Sequence, residues 1–252
     1  MLELNNLSAG YGTRRVLDGV SVGFEKGRLT CIVGVNGCGQ STLLKTALGL
    51  LSPMSGEIFL DGALLSDMKR NQVDLRISYL AQGKATPDMT VEQMVLHGRF
   101  PYLSYPRRYT SHDREIARAS MERMGIADHA EEPLVALSGG MRQNAYLAMA
   151  LAQDTDYILL DEPTTYLDIG HQIALMRTLR SLAEEGKGIV AVMHDLPLAF
   201  SFSDTVAVMD GGRILWHGAP RELCGTDLIP RVFGVSVGYE NGEYRYRMLG
   251  EG

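Results

Sequence analysis

Four runs of the chain are apolar without alternation: 29–33, 157–160, 189–193 and 205–209. Short, uninterrupted apolar runs are what a parallel strand needs when both faces of its sheet are covered. Between them lie stretches with helical periodicity over 42–48, 139–153 and 169–184, the last stopped by Gly186. Strands alternating with helices of this length predict an α/β fold with a mostly parallel sheet. The N-terminal part reads differently. Residues 2–7 and 20–24 form short strands separated by the turn-rich Ser8-Ala9-Gly10-Tyr11-Gly12-Thr13, and 56–60 forms a strand closed by the hairpin signal Asp61-Gly62. This is an antiparallel β part attached to the core. A further strand over 76–80 ends at Ala81-Gln82.

From 91 to 132 strand signals cease, and 91–99 and 113–124 are helical, with Pro101, Pro106 and Arg107-Arg108 between them. Ser111 is placed to cap the second of these helices. The pattern predicts a single domain, 1–252, in four parts. Residues 1–84 and 135–218 form the core with its β part, 85–134 an inserted helical subdomain, and 219–252 a C-terminal cap. In the cap, Asn241-Gly242 signals a hairpin with Tyr and Arg alternating after it, either an exposed edge hairpin or a nucleic-acid contact.

Composition narrows the classes. No apolar run approaches the roughly 20 residues that span a bilayer, and the first residues lack the basic and apolar regions of a signal peptide. A net charge of −6 argues against non-specific nucleic-acid binding. Cys31, Cys38 and Cys224 are odd in number and show no metal-ligand spacing, so free thiols in a reducing compartment are expected. Cys38 falls inside the segment described next, where its modification would block a site.

Gly34-Val35-Asn36-Gly37-Cys38-Gly39-Gln40-Ser41-Thr42 follows an apolar strand and opens a helix. Glycines let consecutive backbone N–H groups turn inward, and the helix aims its positive end at the same point, which makes a phosphate cradle. The spacing is that of G-x-x-x-x-G-K-[ST] with glutamine in place of the lysine. Downstream, the strand over 157–160 runs into Asp161-Glu162. Two carboxylates at the end of a buried strand are costly unless they meet a cation or water. Asp161 suits Mg²⁺ together with Ser41, and Glu162 suits a general base that polarises water for attack on a γ-phosphate. Ser138-Gly139-Gly140 opening a helix is a second anion cradle, which suggests that two chains complete each other's sites.

With these motifs in order, the chain resembles the ATPase cassettes of ABC transporters along nearly its whole length. Residues 34–42 look like the Walker A loop, Ser138-Gly139-Gly140-Met141 like the signature motif and 157–162 like Walker B. Gln82 resembles the Q-loop glutamine, Asp168 the D-loop aspartate, His194 the switch histidine and Tyr11 the aromatic residue that stacks on adenine. The resemblance implies a P-loop NTPase core that binds ATP and Mg²⁺, the metal held by Ser41, Gln82 and Asp161, with Glu162, His194, Gln82 and Asp168 serving hydrolysis. It also implies a head-to-tail pair with a second copy, polytopic permease subunits and a periplasmic or lipoprotein substrate-binding protein in the same complex. The location implied is the cytoplasmic face of the membrane, with no nucleic-acid partner. His97-Gly98-Arg99-Phe100-Pro101-Tyr102 and Tyr166-Leu167-Asp168-Ile169 with His171-Gln172 resemble importers of iron–siderophore complexes, haem or cobalamin. Cassettes for zinc, manganese or molybdate are the alternative.

Two residues depart from the family pattern. Met141 replaces the usual signature glutamine, with a modest effect expected, whereas Gln40 removes a full positive charge from beside the β- and γ-phosphates. Weakened ATP binding and slowed hydrolysis follow. Tyr11, Gln82, Asp161, Glu162, Asp168 and His194 all remain, which favours one altered residue over general decay. A nucleotide-binding module that regulates without hydrolysing is the competing reading.

Overall fold

The structure is a computed structural model that describes residues 1–83, 86–165 and 167–247. The chain begins with β1 (Leu2–Tyr11), β2 (Arg14–Phe24) and β3 (Leu29–Gly34), followed by α1 (Gln40–Ala47). β4 (Ser55–Leu60), β5 (Ala63–Leu64), α2 (Arg70–Asp74) and β6 (Ile77–Leu80) come next. Three helices, α3 (Val91–Leu96), α4 (Ser111–Arg123) and α5 (Gly139–Ala152), then separate β6 from β7 (Tyr157–Asp161). After α6 (Ile169–Glu184), β8 (Gly188–Met193), α7 (Leu196–Phe202), β9 (Thr205–Asp210) and β10 (Arg213–Gly218), the chain reaches α8 (Pro220–Leu223), α9 (Leu228–Phe233), β11 (Ser236–Glu240) and β12 (Glu243–Arg247). Among the described residues no helix is long and apolar enough to cross a membrane.

The expected parallel sheet is present, in the order β10-β9-β3-β8-β7-β6, with β10 antiparallel to β9 and the other pairs parallel. Its central strands β3, β7 and β8 are buried along their entire length, as their unbroken apolar runs require. Alternate residues of β3 serve opposite faces. Leu29, Cys31 and Val33 pack into the core beneath α5 and α6, while Ile32 joins the core beneath α1 and the N-terminal strands. The second sheet, β2-β1-β4-β5, is antiparallel. Both hairpin signals hold: Asp61 and Gly62 have φ 49° and 81°, Asn241 and Gly242 have φ 50° and 89°, the positive pair that a two-residue turn between twisted strands needs.

Local readings needed correction where irregular backbone hid the periodicity. The stretch 8–13, expected as a turn, is mostly strand, because β1 shifts register against β2 after Leu4, Leu7 and Ala9. Each shift moves the alternation by a residue, so the period-two pattern fades in the sequence while the pairing continues. The helix expected over 91–99 ends at Leu96 and tightens into a 3₁₀ segment, His97–Tyr102, around Pro101. The cap of α4 is Thr110, not Ser111: the Thr110 hydroxyl accepts from the Asp113 N–H at 3.2 Å, and Asp113 Oδ2 accepts from the Thr110 N–H at 2.9 Å.

The His97-to-Tyr102 segment bolts the helical insert to α5. Arg99, only 4% exposed, donates through Nε to Asp113 Oδ1 at 3.0 Å and through Nη1 to the Ala152 carbonyl at 2.8 Å. The Tyr102 hydroxyl donates to the Gln153 carbonyl at 3.0 Å, and its ring lies 3.7 Å beneath the Arg99 guanidinium. Gly98 permits this approach, since a Cβ there would stand 2.2 Å from the Met149 carbonyl oxygen.

Candidate functional site

Parallel strands deliver their C-terminal ends to one edge of a sheet, and here four such ends gather the chemistry. β8 lies between β3 and β7, with Val33 opposite Met193 and Asp161 opposite Val192. β6 flanks β7, with Leu80 opposite Leu160. The next residues out are therefore the glycine-rich loop after β3, His194 after β8, Asp161 and Glu162 at the end of β7, and Gln82 after β6. A cavity of 660 Å³ opens at this edge, lined by Asn36, Gly37, Gly39, Gln40, Ser41, Thr42, Gln82, Glu162, Thr165 and His194, with Val16 from β2. Ligands of open α/β sheets bind at this carboxyl edge for the same topological reason.

The loop presents backbone to the cavity. Gly39 sits at φ 108°, a conformation that side chains resist, and leads directly into α1. The N–H groups of a helix's first turn lack intrahelical partners and carry the positive end of its dipole. Asn36, Gly37, Gly39, Ser41 and Thr42 thus face the cavity as the cradle geometry expects. Cys38 does not. Its N–H donates to the Val35 carbonyl at 3.1 Å, and its side chain is buried in the core under α1. Burial pushes the Cys38 thiol up to about 11. The thiol that the sequence placed beside the site is therefore turned away from the cavity and little ionised. Cys38 should react with a disulfide reagent at pH 8 roughly two orders of magnitude more slowly than a free cysteine, because so little of it is thiolate. Thiol-titration kinetics followed by peptide mapping check this, and rapid labelling of Cys38 in the folded protein refutes it.

Gln40 is 7% exposed, and its Nε2 donates to the Ile32 carbonyl at 3.3 Å. Its amide thus spends a proton on the strand below the loop, and the cradle holds a neutral group where the motif would hold a cation.

The acidic pair divides its labour. Asp161 is buried, accepting from Ser41 Oγ at 3.1 Å and from the Tyr79 hydroxyl at 3.1 Å. Burial raises its pKa despite these two donors. A buried carboxylate with an adjoining hydroxyl is a fitting donor pair for a hard divalent cation that takes its other ligands from phosphate and water. Glu162 has φ 52°, outside the regions most side chains favour, at a cost of order 1–3 kcal/mol. That twist turns it toward the cavity, where Oε1 lies 2.8 Å from His194 Nε2 and Oε2 accepts from Thr165 Oγ1 at 3.0 Å.

The remaining sequence candidates lie around this centre. Tyr11 ends β1, 51% exposed, and is not among the cavity's lining residues, whereas Val16 is. Val16 carried no sequence signal, being one apolar residue of an ordinary strand. Ser138 caps α5 by accepting from the Met141 N–H at 3.3 Å. Gly139 lines a neighbouring cavity of 290 Å³, which shares Gln82, Glu162 and Thr165 with the first. Ser138, Gly140 and Met141 line neither of these two cavities. Asp168 caps α6 on the surface and accepts from the His171 N–H at 2.9 Å. Tyr166 lies outside the described residues.

Comparison with known proteins agrees with this geometry. A family model described as ABC transporter matches residues 17–165. The petrobactin import ATP-binding protein FpuD of Bacillus anthracis is 40% identical over 234 residues, covering 92% of this chain and 86% of that protein. The ferric enterobactin transport ATP-binding protein FepC of Escherichia coli (strain K12) is 41% identical over 236 residues, covering 93% and 87%. Among solved structures, a bacterial ABC transporter cassette in dimeric form matches with TM-score 0.76 and 26% identity, over 88% of this chain and 99% of that one. On family model, sequence and fold together, the chain belongs to the ABC transporter family as an ATP-binding cassette.

Proposed function

We propose that this chain is the ATP-driven subunit of an importer for a metal chelate, an iron–siderophore complex in the first place, with haem and cobalamin as chemically related cargoes. The observation that carries the reading is the convergence of the 34–42 loop, Gln82, Glu162 and His194 on one cavity, with Asp161 bonded to Ser41 in its wall. Its similarity to the petrobactin and ferric enterobactin proteins supports the choice of cargo.

In this reading the first-turn N–H groups of α1 bind the phosphates, the exposed Tyr11 ring stacks on adenine, and Ser41, Asp161 and Gln82 would hold Mg²⁺. Held there, Mg²⁺ would neutralise phosphate charge. Glu162 takes a proton from water as that water attacks the γ-phosphorus, and ADP leaves. His194, whose Nε2 lies 2.8 Å from Glu162 Oε1, holds the carboxylate in its twisted position and faces the γ-phosphate. A second copy lies head to tail, so that its Ser138, Gly139, Gly140 and Met141 close over this chain's nucleotide while Asp168 sits at the seam. The dimeric form of a similar cassette supports that arrangement. Phe100, Tyr102 and Tyr105 are exposed on the helical insert, with Arg107 over the Phe100 ring, an amphipathic surface suited to cytoplasmic loops of permease subunits. The chain then works at the cytoplasmic face of the membrane, with a periplasmic or lipoprotein binding protein delivering the chelate on the other side.

Gln40 favours a second reading, a cassette that binds nucleotide but turns it over poorly, because its amide donates to Ile32 instead of bringing a charge. The importer is tested by reconstituting the Gln40→Lys chain with the polytopic membrane protein encoded beside it and a substrate-binding protein. MgATP-dependent uptake of a ferric siderophore into liposomes is expected. No co-purification with that membrane protein, or uptake indifferent to ATP, would refute the proposal.

A further inference from the structure

The stretch that follows Glu162 is tied to α5 and α6 by three side chains, Gln143, His171 and Gln172. Gln143 Nε2 donates to the Pro163 carbonyl at 2.9 Å. Gln172 Nε2 donates to the Thr164 and Leu167 carbonyls at 3.3 and 3.1 Å. His171 grips Asp168 twice, its N–H donating to Oδ1 at 2.9 Å and Nδ1–H to Oδ2 at 2.8 Å. The other edge of the His171 ring faces the signature turn across the width of one methyl group: a Cβ built on Gly140 would stand 3.6 Å from His171 Cδ2 and 3.7 Å from Leu167 Cδ2. Beside them Ile169 is 75% exposed, an apolar side chain at the start of α6 with its face turned outward. One imidazole therefore holds the carboxylate at the seam and lies beside the segment that would close over another chain's nucleotide, while Gln143 on the helix that follows that segment holds the Pro163 carbonyl.

We propose that His171 is a positioning residue that couples the Gly139-Gly140 turn to Asp168, so that both reach a second copy of this chain as one rigid unit. This rests on the head-to-tail pairing argued above. Gln172 and Gln143 extend the unit back to Thr164 and Pro163, and Thr165 joins it to Glu162, so pairing at the seam bears mechanically on the catalytic carboxylate. A neutral imidazole with its proton on Nδ1 suffices for this grip, as does the charged form.

The test uses the full chain with Gln40 in place, whose slow turnover keeps MgATP intact while pairing is measured by sedimentation velocity at saturating nucleotide. His171→Ala should weaken MgATP-driven pairing by about tenfold, the scale of one lost hydrogen bond to a charged group. His171→Asn, whose amide nitrogen stands near the position of Nδ1, should restore most of it. Nucleotide affinity of the single chain, read with a fluorescent ATP analogue, and the unfolding midpoint should be unchanged in both variants. The proposal falls if His171→Ala pairs like the unmodified chain, or if His171→Asn is as weak as His171→Ala. It also falls if weaker pairing comes with a matching loss of thermal stability in both variants, which assigns a merely structural role. If the unmodified chain stays monomeric in MgATP, the head-to-tail reading itself fails and takes the role of His171 with it, an outcome distinct from the others.

Discussion

Gln40→Lys should raise single-turnover MgATP hydrolysis by about two to three orders of magnitude. The present side chain is neutral, buried and bonded to the Ile32 carbonyl, so position 40 brings no charge to the cradle. A lysine there adds a full charge in a partly dry site. Hydrogen bonds involving a charged group contribute about 1.5–3 kcal/mol against roughly 1 for neutral ones, and each 1.36 kcal/mol is about a decade in rate. Because negative charge accumulates on the oxygens during phosphoryl transfer, the gain should fall mainly on the chemical step, with a smaller gain in ATP affinity. Phosphate release from pre-bound ATP measures it. Glu162→Gln placed on Gln40→Lys should return the rate to background, since the general base is then gone. A rate unmoved by the introduced lysine would show that the charge at position 40 is not what limits turnover.

The second large effect is on stability. Asp113→Leu leaves the Arg99 guanidinium buried without its carboxylate, and removing one partner of a buried ion pair costs about 3–5 kcal/mol. For a chain of this size that is a fall in unfolding midpoint of roughly 10 °C. Burial would raise the Asp113 carboxyl, but the Thr110 N–H and hydroxyl and the Arg99 guanidinium together hold it below the ordinary carboxylate value. A depressed folded pKa means that this contribution is fully present above the unfolded value of about 4 and is lost as pH falls through the folded value. The stability difference between the unmodified chain and Asp113→Leu should therefore shrink in acid. Arg99→Met with Asp113→Leu should recover much of the loss, because the pair's value lies in mutual compensation rather than in net attraction. Calorimetry across pH 3 to 7 tests all three statements, and a midpoint shift below about 2 °C for Asp113→Leu would refute the first.

Both predictions draw on residues whose presence was legible in the chain while their roles were not. His97-Gly98-Arg99-Phe100-Pro101-Tyr102 reads in sequence as a family resemblance. In the fold it is a clamp, with Arg99 reaching Asp113 and Ala152 and Tyr102 reaching Gln153. Partners 14 and 53 residues apart leave no local trace. Val16 is equally silent as one apolar residue of β2, and only strand packing brings it to the cavity wall. The displaced cap at Thr110 and the extended β1 show the same limit at short range, where neighbouring residues of similar propensity compete and tertiary pairing decides.

By itself the sequence determined the layers of this protein. Short unbroken apolar runs bounded by turn residues fit buried strands, helical periodicity supplies their covers, and the glycine spacing around residues 34–39 with carboxylates at 161 and 162 implies a phosphate site at a strand edge. Those are local properties, written in the period of burial and in backbone freedom. The strand order was decided only by tertiary structure. Placing β8 between β3 and β7 makes His194 and Glu162 neighbours at 2.8 Å, and the same packing directs the Gln40 amide to Ile32 and the His171 ring to Gly140. Contacts between distant residues depend on which elements pack side by side, and a residue's own neighbours in the chain do not encode that choice.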